Sequence, residues 1–341
     1  MRKFKLFGSR IVKTGLAVFF TALICQWLNW PPVFAVITAI VTIEPTVGDS
    51  IKKGIVRFPA SAIGSAFAVL FIFLFDNSAI TYTAAAVCTI ITCYKLKLHD
   101  GLLVATLTSV AMIEVIHSNL LISFFIRLGT TSVGLIVSTV VNMFVLPPDY
   151  SDKIHSNAHY LLKTTGEGLE HITKLALLGK SEQDNISTVQ DIFAQLKKKL
   201  DRTEMLVQYQ KAESKYHRLN DLQQEHLLDD EENVAILRLI HYHIGNLINT
   251  PFNHIEWSEK ECHQIITTVE TMAEVMRHPE KFKLDKHRAV VHNLMDEFWK
   301  TEDYVSNEKT DGNPNFFSAE TIILYELVSI FNLVEDLLVD E

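Results

Sequence analysis

Two glutamates and two arginines, set in an otherwise apolar half-chain, are the residues that could do chemistry. Glu44 is followed thirteen residues on by Arg57 and seven after that by Gly64; Glu114, Arg127 and Gly134 repeat the spacing 70 positions later. An arginine offers a permanent charge and a planar fork that grips a carboxylate through two bonds. A glutamate in low dielectric is pushed toward its protonated form, so it can load and release a proton. Two readings stay open. In one, Arg57 and Arg127 form an anion site on a pathway that Glu44 and Glu114 gate or supply with protons. In the other, each arginine bridges to the glutamate of its own copy. Lys53 adds a cation to the first copy, and Lys13, inside the first apolar run, reads as a snorkelling anchor before a pathway ligand.

The elements that must position these groups are apolar runs at residues 11–28, 33–43, 58–75, 79–94, 101–116 and 120–146. A helix crossing about 30 Å of hydrocarbon needs about 20 residues. The second run is the shortest, bounded by Pro31-Pro32 and Glu44-Pro45, and such a span is tolerated where neighbours or a cavity satisfy its backbone. Between the second and third runs lies IEPTVGDSIKKGIVRFPASAIG, with Pro45, Gly48, Gly54 and Pro59. Pro59 is expected in the first turn of the third helix, where a missing N–H costs nothing. Gly64 with Ala60 and Ala68, and Gly134 with Thr130 and Ser138, form small-residue faces that admit close helix approach.

Charge divides the chain. Residues 1–150 carry 11 Lys and Arg against 6 Asp and Glu, a net of +5; the remainder carries 20 against 34, a net of −14. An acidic second half without a basic stripe argues against nucleic acid. Cys25, Cys88, Cys93 and Cys262 make no disulfide framework and read as reduced. The cations Arg2, Lys3, Lys5 and Arg10 before the first run suggest a signal peptide, but no cleavage site follows, and the run ends in an aromatic belt at Trp27 and Trp30. Basic residues recur at Lys52, Lys53 and Arg57 and at Lys95 and Lys97, whereas the loops 29–32, 76–78 and 117–119, which include His117, have none. That asymmetry places the N-terminus, and after six crossings the C-terminal half, in the cytoplasm. Two three-span units, residues 8–76 and 78–147, then run in opposite directions, an inverted repeat with a site near the midplane.

From residue 149 to 341 the pattern becomes amphipathic and helical, with stripes such as Ile323, Leu327, Ile330, Val334 and Leu338. The run Asp229 to Glu232 is expected at a helix start, near residue 232. His155 and His159 lie one turn apart without further ligands, so no metal is assigned. No phosphate loop, dinucleotide fingerprint or nucleophile elbow occurs, so neither a nucleotide-driven pump nor a hydrolase is supported and no cofactor is implied. The fold class is all-α, a six-span domain over residues 1–148 followed by a cytoplasmic helical bundle.

The stretch EPTVGDSIKKGIVRFPASAIG, the six short spans and the ending Asn142…Pro147-Pro148 resemble the bacterial aromatic acid exporter family of the fusaric acid resistance superfamily. The plant aluminium-activated malate transporters carry a similar stretch, matched here at Glu44, Thr46, Val47, Gly48, Ser50, Lys53, Gly54 and Arg57. The resemblance implies a plasma-membrane protein handling small organic, aromatic carboxylates, working as a homodimer in the bilayer. The cytoplasmic half resembles the helical C-terminal domain of the first exporter subfamily in length and helicity. An uncoupled anion channel and a membrane-anchored regulatory protein are the alternatives to a proton-driven exporter.

Overall fold

The computed structural model describes residues 8–115, 119–178, 183–250, 255–308 and 318–339. Arg2, Lys3, Lys5 and His117 lie outside them. Regular structure among the described residues is entirely helical. Contacts group the chain into two units, one of residues 1–149 with 209–218 and one of residues 150–208 with 219–341.

In the first unit α1 is Ser9–Trp27, α2 Pro32–Thr42, α3 Val47–Phe75, α4 Ala79–Lys95, α5 Leu102–Val115 and α6 Leu120–Phe144. Pro32 opens α2, where its fixed φ suits the first turn. Pro45 ends it, because the residue before a proline is steered out of the helical region and Ile43 is already extended. Thr46 then caps α3, its hydroxyl accepting from the Asp49 N–H at 3.0 Å, with the Asp49 carboxylate in the first turn. By length and composition α1, α3 and α6 are long and apolar enough to cross a membrane, while α2 and α4 are shorter apolar helices.

This corrects the expectation for Pro59. The Thr46 cap starts α3 about three turns upstream, so Pro59 lies inside the helix and not in its first turn. Its ring keeps a helical φ and forfeits one backbone bond, a loss that the turns on either side absorb.

α3 packs on α5 and α6, α2 on α1 and α6, and α4 on α3 and α5. Two glycines set the closest approaches. A Cβ at Gly64 would run into the carbonyl oxygen of Ala105, and a Cβ at Gly134 into that of Ala35. Buried hydroxyls mostly bond within their own helix. Thr38 donates to the Phe34 carbonyl at 2.8 Å, Thr42 to Thr38 at 2.7 Å, Ser65 to Ser61 at 2.9 Å, Thr89 to Ala85 at 2.7 Å and Ser138 to Gly134 at 2.7 Å. Across helices Ser61 meets Thr131 at 3.2 Å and Thr108 at 3.4 Å. Trp27, Ile55, Phe73, Leu121, Phe125 and Ile136 lie exposed on the outside, an apolar exterior of the kind that a lipid or protein surface covers.

In the second unit α7 is Ser151–Leu178, α8 Gln183–Glu213 (its last turn belonging to the first unit), α9 Asp221–Asn249, α10 Glu259–Arg277, α11 Leu284–Glu308 and α12 Ala319–Val339. Leu169, Ile240, Ile244, Met276, Ile323, Leu327 and Phe331 form its core. Asn220 and Gln223 make a reciprocal capping box that starts α9 at Asp221. The acidic run is thereby corrected to mid-helix, where Asp230 turns inward and burial raises its carboxyl above the usual range. Arg238 is held by Glu204 at 2.7 Å and Asp201 at 2.5 Å, and Arg277 by Glu170 at 2.8 Å. The four cysteines are free, and all but Cys88 are buried.

His241 is buried against Phe193, the rings stacked with centroids 4.0 Å apart, and its Nε2 makes no hydrogen bond among the described residues. Burial pushes it down to about 4.

Two outcomes follow. Gly64→Ala should cost about 1–3 kcal/mol by overpacking, read as a fall in detergent melting temperature, while Gly15→Ala, which meets no atom within 4 Å, should not destabilise. Because His241 is neutral when folded, unfolded chains bind more protons as the pH drops below the ordinary histidine value. Melting temperature should therefore fall between about pH 6.5 and about 4, and His241→Phe should flatten that part of the profile.

Candidate functional site

The two arginines, equivalent by spacing, are not equivalent in structure. Arg57, on α3, is buried and fully engaged. Its Nη2 donates to Glu44 Oε1 at 2.8 Å, its Nη1 to the Val41 carbonyl at 3.1 Å and its Nε to the Asp100 carbonyl at 3.3 Å. Lys53, one turn earlier on α3, donates to Glu44 Oε2 at 3.0 Å. The glutamate thus sits between two cations, both oxygens used.

Arg127, on α6, is 4% exposed and pairs with no carboxylate among the described residues. Its Nη2 donates to the Thr108 hydroxyl on α5, and its guanidinium carbon lies 4.0 Å from the centroid of the Phe34 ring on α2. Nε and Nη1 find no partner among the described residues. A buried cation with unsatisfied donors is costly, and the face of an aromatic ring offsets part of that cost. Glu114, which the spacing matches to Glu44, points outward and accepts from the Tyr82 hydroxyl. The structure therefore brings Glu44, Lys53 and Arg57 together and leaves Glu114 apart from Arg127.

Lys13 departs from the snorkelling expectation. It is buried and donates to Asn142 Oδ1 at 2.9 Å, because that amide offers an acceptor within reach of α1. Asn142 is the group that the residue pattern did not single out for a role. Its Nδ2 lies 2.9 Å from Ser50 Oγ and within 3.3 Å of the Glu44 and Thr46 carbonyls. Ser50 in turn donates to the Thr42 carbonyl at 2.9 Å. One amide at the end of α6 thus ties α1 to the turn between α2 and α3, and so places Glu44. An amide in the last turn of an apolar run was the available signal.

The segment 209–218 completes this network. Glu213 is buried and accepts from the Val47 N–H at 3.0 Å, while the Tyr216 ring lies 3.1 Å from where a Cβ on Gly48 would stand. Gly48 is small because that ring covers it. Gly54 meets only an ordinary contact with Leu135, and Pro45 precedes the α3 cap. Between α3 and α6 an apolar groove of about 590 Å³ is lined by Gly54, Ile55, Phe58, Leu135, Ile136 and Val140. His155 lies 3.7 Å from Asp230, and among the described residues no three His, Cys, Asp or Glu side chains are grouped to hold one metal ion.

Removing one partner of a buried ion pair strands the other. Arg57→Met should destabilise by on the order of 3 kcal/mol, whereas Arg127→Met, which removes an under-bonded charge, should leave the protein as stable or more so. Chemical denaturation of both variants in detergent would check the contrast.

Residues 5–145 match the family described as aromatic acid exporter family member 1. Over 96% of its length the chain is 48% identical to a UPF0421 protein of Oceanobacillus iheyensis, covering 94% of that relative. A UPF0421 protein of Bacillus cereus is 40% identical over 99% of this chain and 94% of its own. One of Staphylococcus haemolyticus is 36% identical over 97% of this chain and 96% of its own. The chain belongs to the UPF0421 proteins, and its residues 5–145 carry the match to the aromatic acid exporter family.

Proposed function

We propose that this member of the aromatic acid exporter family moves small organic, aromatic carboxylates out of the cell across the plasma membrane, driven by a proton gradient. The observation that carries the reading is Arg127, a buried guanidinium with an aromatic ring on its face and, among the described residues, two unpartnered donor nitrogens and no carboxylate of its own. A guest anion would supply the missing acceptor in the bidentate geometry that arginine favours.

The path is made by six spans, α1 to α6, arranged as two inverted three-helix repeats in a homodimer with both termini in the cytoplasm. Reciprocal contacts support the repeat. Gly64 meets Ala105 while Gly134 meets Ala35, and each of these residues lies 70 positions from its counterpart in the other contact. Ser61 and Thr131, also 70 apart, meet each other, as residues near a pseudo-two-fold axis must. The two copies differ in their Glu–Arg pair, closed between Glu44 and Arg57 and open between Glu114 and Arg127. Alternating access follows if transport exchanges those two arrangements. Lys53 holds Glu44 in the closed copy, and Glu114, which accepts from the Tyr82 hydroxyl, would be the proton carrier of the open one.

Purified chain in liposomes should release labelled benzoate faster under a pH gradient than without one. Arg127→Gln should lower that flux about 10–100-fold, the worth of a hydrogen bond to a charged group, in protein that still melts cooperatively. Undiminished flux in the folded variant would overturn the assignment. Flux through wild-type protein that ignores the pH gradient would assign an uncoupled channel instead.

A further inference from the structure

We propose that Glu213 and His217 form a proton-binding site that docks the segment 209–218 onto the first unit, so that docking tightens as pH falls and loosens as it rises. His217 Nε2 lies 2.9 Å from the Met143 carbonyl, and its Nδ1 lies 2.8 Å from Glu213 Oε1. Glu213 Oε2 is taken by the Val47 N–H at 3.0 Å. The imidazole therefore faces an acceptor at each nitrogen. A neutral ring owns one N–H and can satisfy only one of them. The other contact needs a second proton, on Nδ1 or on the carboxyl, and without it two lone pairs confront each other at hydrogen-bonding distance.

The surroundings decide where that proton sits. Val47 is the first residue of α3, so the Glu213 carboxylate occupies the positive end of a helix; Met143 is in the last turn of α6, so the ring sits at a negative end. Both placements favour the charged forms, a carboxylate beside an imidazolium. The groups facing the pair from other elements reinforce this. From α1 comes the Lys13 ammonium, close enough to interact with the Glu213 charge. α3 offers a backbone N–H and α6 a backbone carbonyl beside the neutral Asn142, and on the segment itself the Tyr216 phenol lies over Gly48. Lys13 thus faces the carboxylate as an opposite charge and the ring as a like one.

When the segment leaves, Glu213 and His217 enter water and the shared proton is released at alkaline pH. The docked form thus binds more protons than the undocked form, and the linkage sign is fixed: rising pH weakens docking. The occupied contact touches Val47 and Gly48, within the same turn that Asn142 holds against Glu44. Cytoplasmic acidification would thereby brace the Glu44 end of α3. The inference needs no transport activity, so its failure and that of the export reading are separable.

The test uses the full chain in lipid nanodiscs and hydrogen exchange at amides 209–218 between about pH 6 and about pH 9, corrected for intrinsic rates. Wild-type protection should fall roughly tenfold or more across that range. Glu213→Gln should flatten the profile, because its amide N–H can donate to an unprotonated Nδ1 while its carbonyl keeps the Val47 bond. A wild-type profile that is flat, or one that Glu213→Gln reproduces, overturns the proposal. Should that variant not fold, nitrogen-15 shifts of the wild-type His217 ring, assigned by difference with His217→Gln, decide it together with the Glu213 carboxyl carbon shift. One proton shared by the pair at neutral pH supports the site, and a neutral ring beside an ionised carboxylate refutes it.

Discussion

Two backbone-to-backbone approaches govern the first unit. At Gly64 and at Gly134 a helix lies so close to its neighbour that any side chain would strike a carbonyl oxygen. In an apolar surrounding, helix association cannot draw on the expulsion of water and rests on dispersion at short range, which grows steeply as backbones near each other. These approaches fix α3 on α5 and α6 on α2, and the polar residues are carried to their places on those four helices. Arg57 reaches the α2–α3 turn because α3 starts at that turn, and Arg127 reaches Phe34 because α6 is pressed onto α2.

The same scaffold sets two cations in opposite electrostatic conditions. Around Arg57 a carboxylate and two carbonyls absorb the charge, and Lys53 shares the carboxylate. Around Arg127 a hydroxyl and a ring face do so incompletely. Folding accepts that imbalance only because packing elsewhere outweighs it.

Much of this was legible from residue types. Apolar runs located α1 to α6, and prolines and hydroxyl caps set several of their ends. Other features were not legible. Pro59 misled because local propensity puts a proline at a helix start, whereas the Thr46 cap had already begun α3. Glu114 misled because spacing gives a position along a helix but not the direction of a side chain, and here the Tyr82 hydroxyl offered it an outward partner. Glu213, Tyr216 and His217 were invisible because their partners lie 74 and 166 residues away in the chain for His217 and Glu213, and nothing local marks such a contact. Asn142 stood in plain sight, yet its meaning depends on three acceptors that only the fold assembles.

The hydroxyl groups of the first unit have a mechanical consequence. Thr38, Thr42, Ser65, Thr89 and Ser138 each spend their hydrogen on a carbonyl of the same helix. Displacing one such helix along its neighbour leaves those bonds intact, so friction between these surfaces comes from shape alone. Resistance to sliding falls instead to the side chains that bond from one helix to another, Ser61 with Thr108 and Thr131, Arg127 with Thr108, and Asn142 with Lys13 and Ser50.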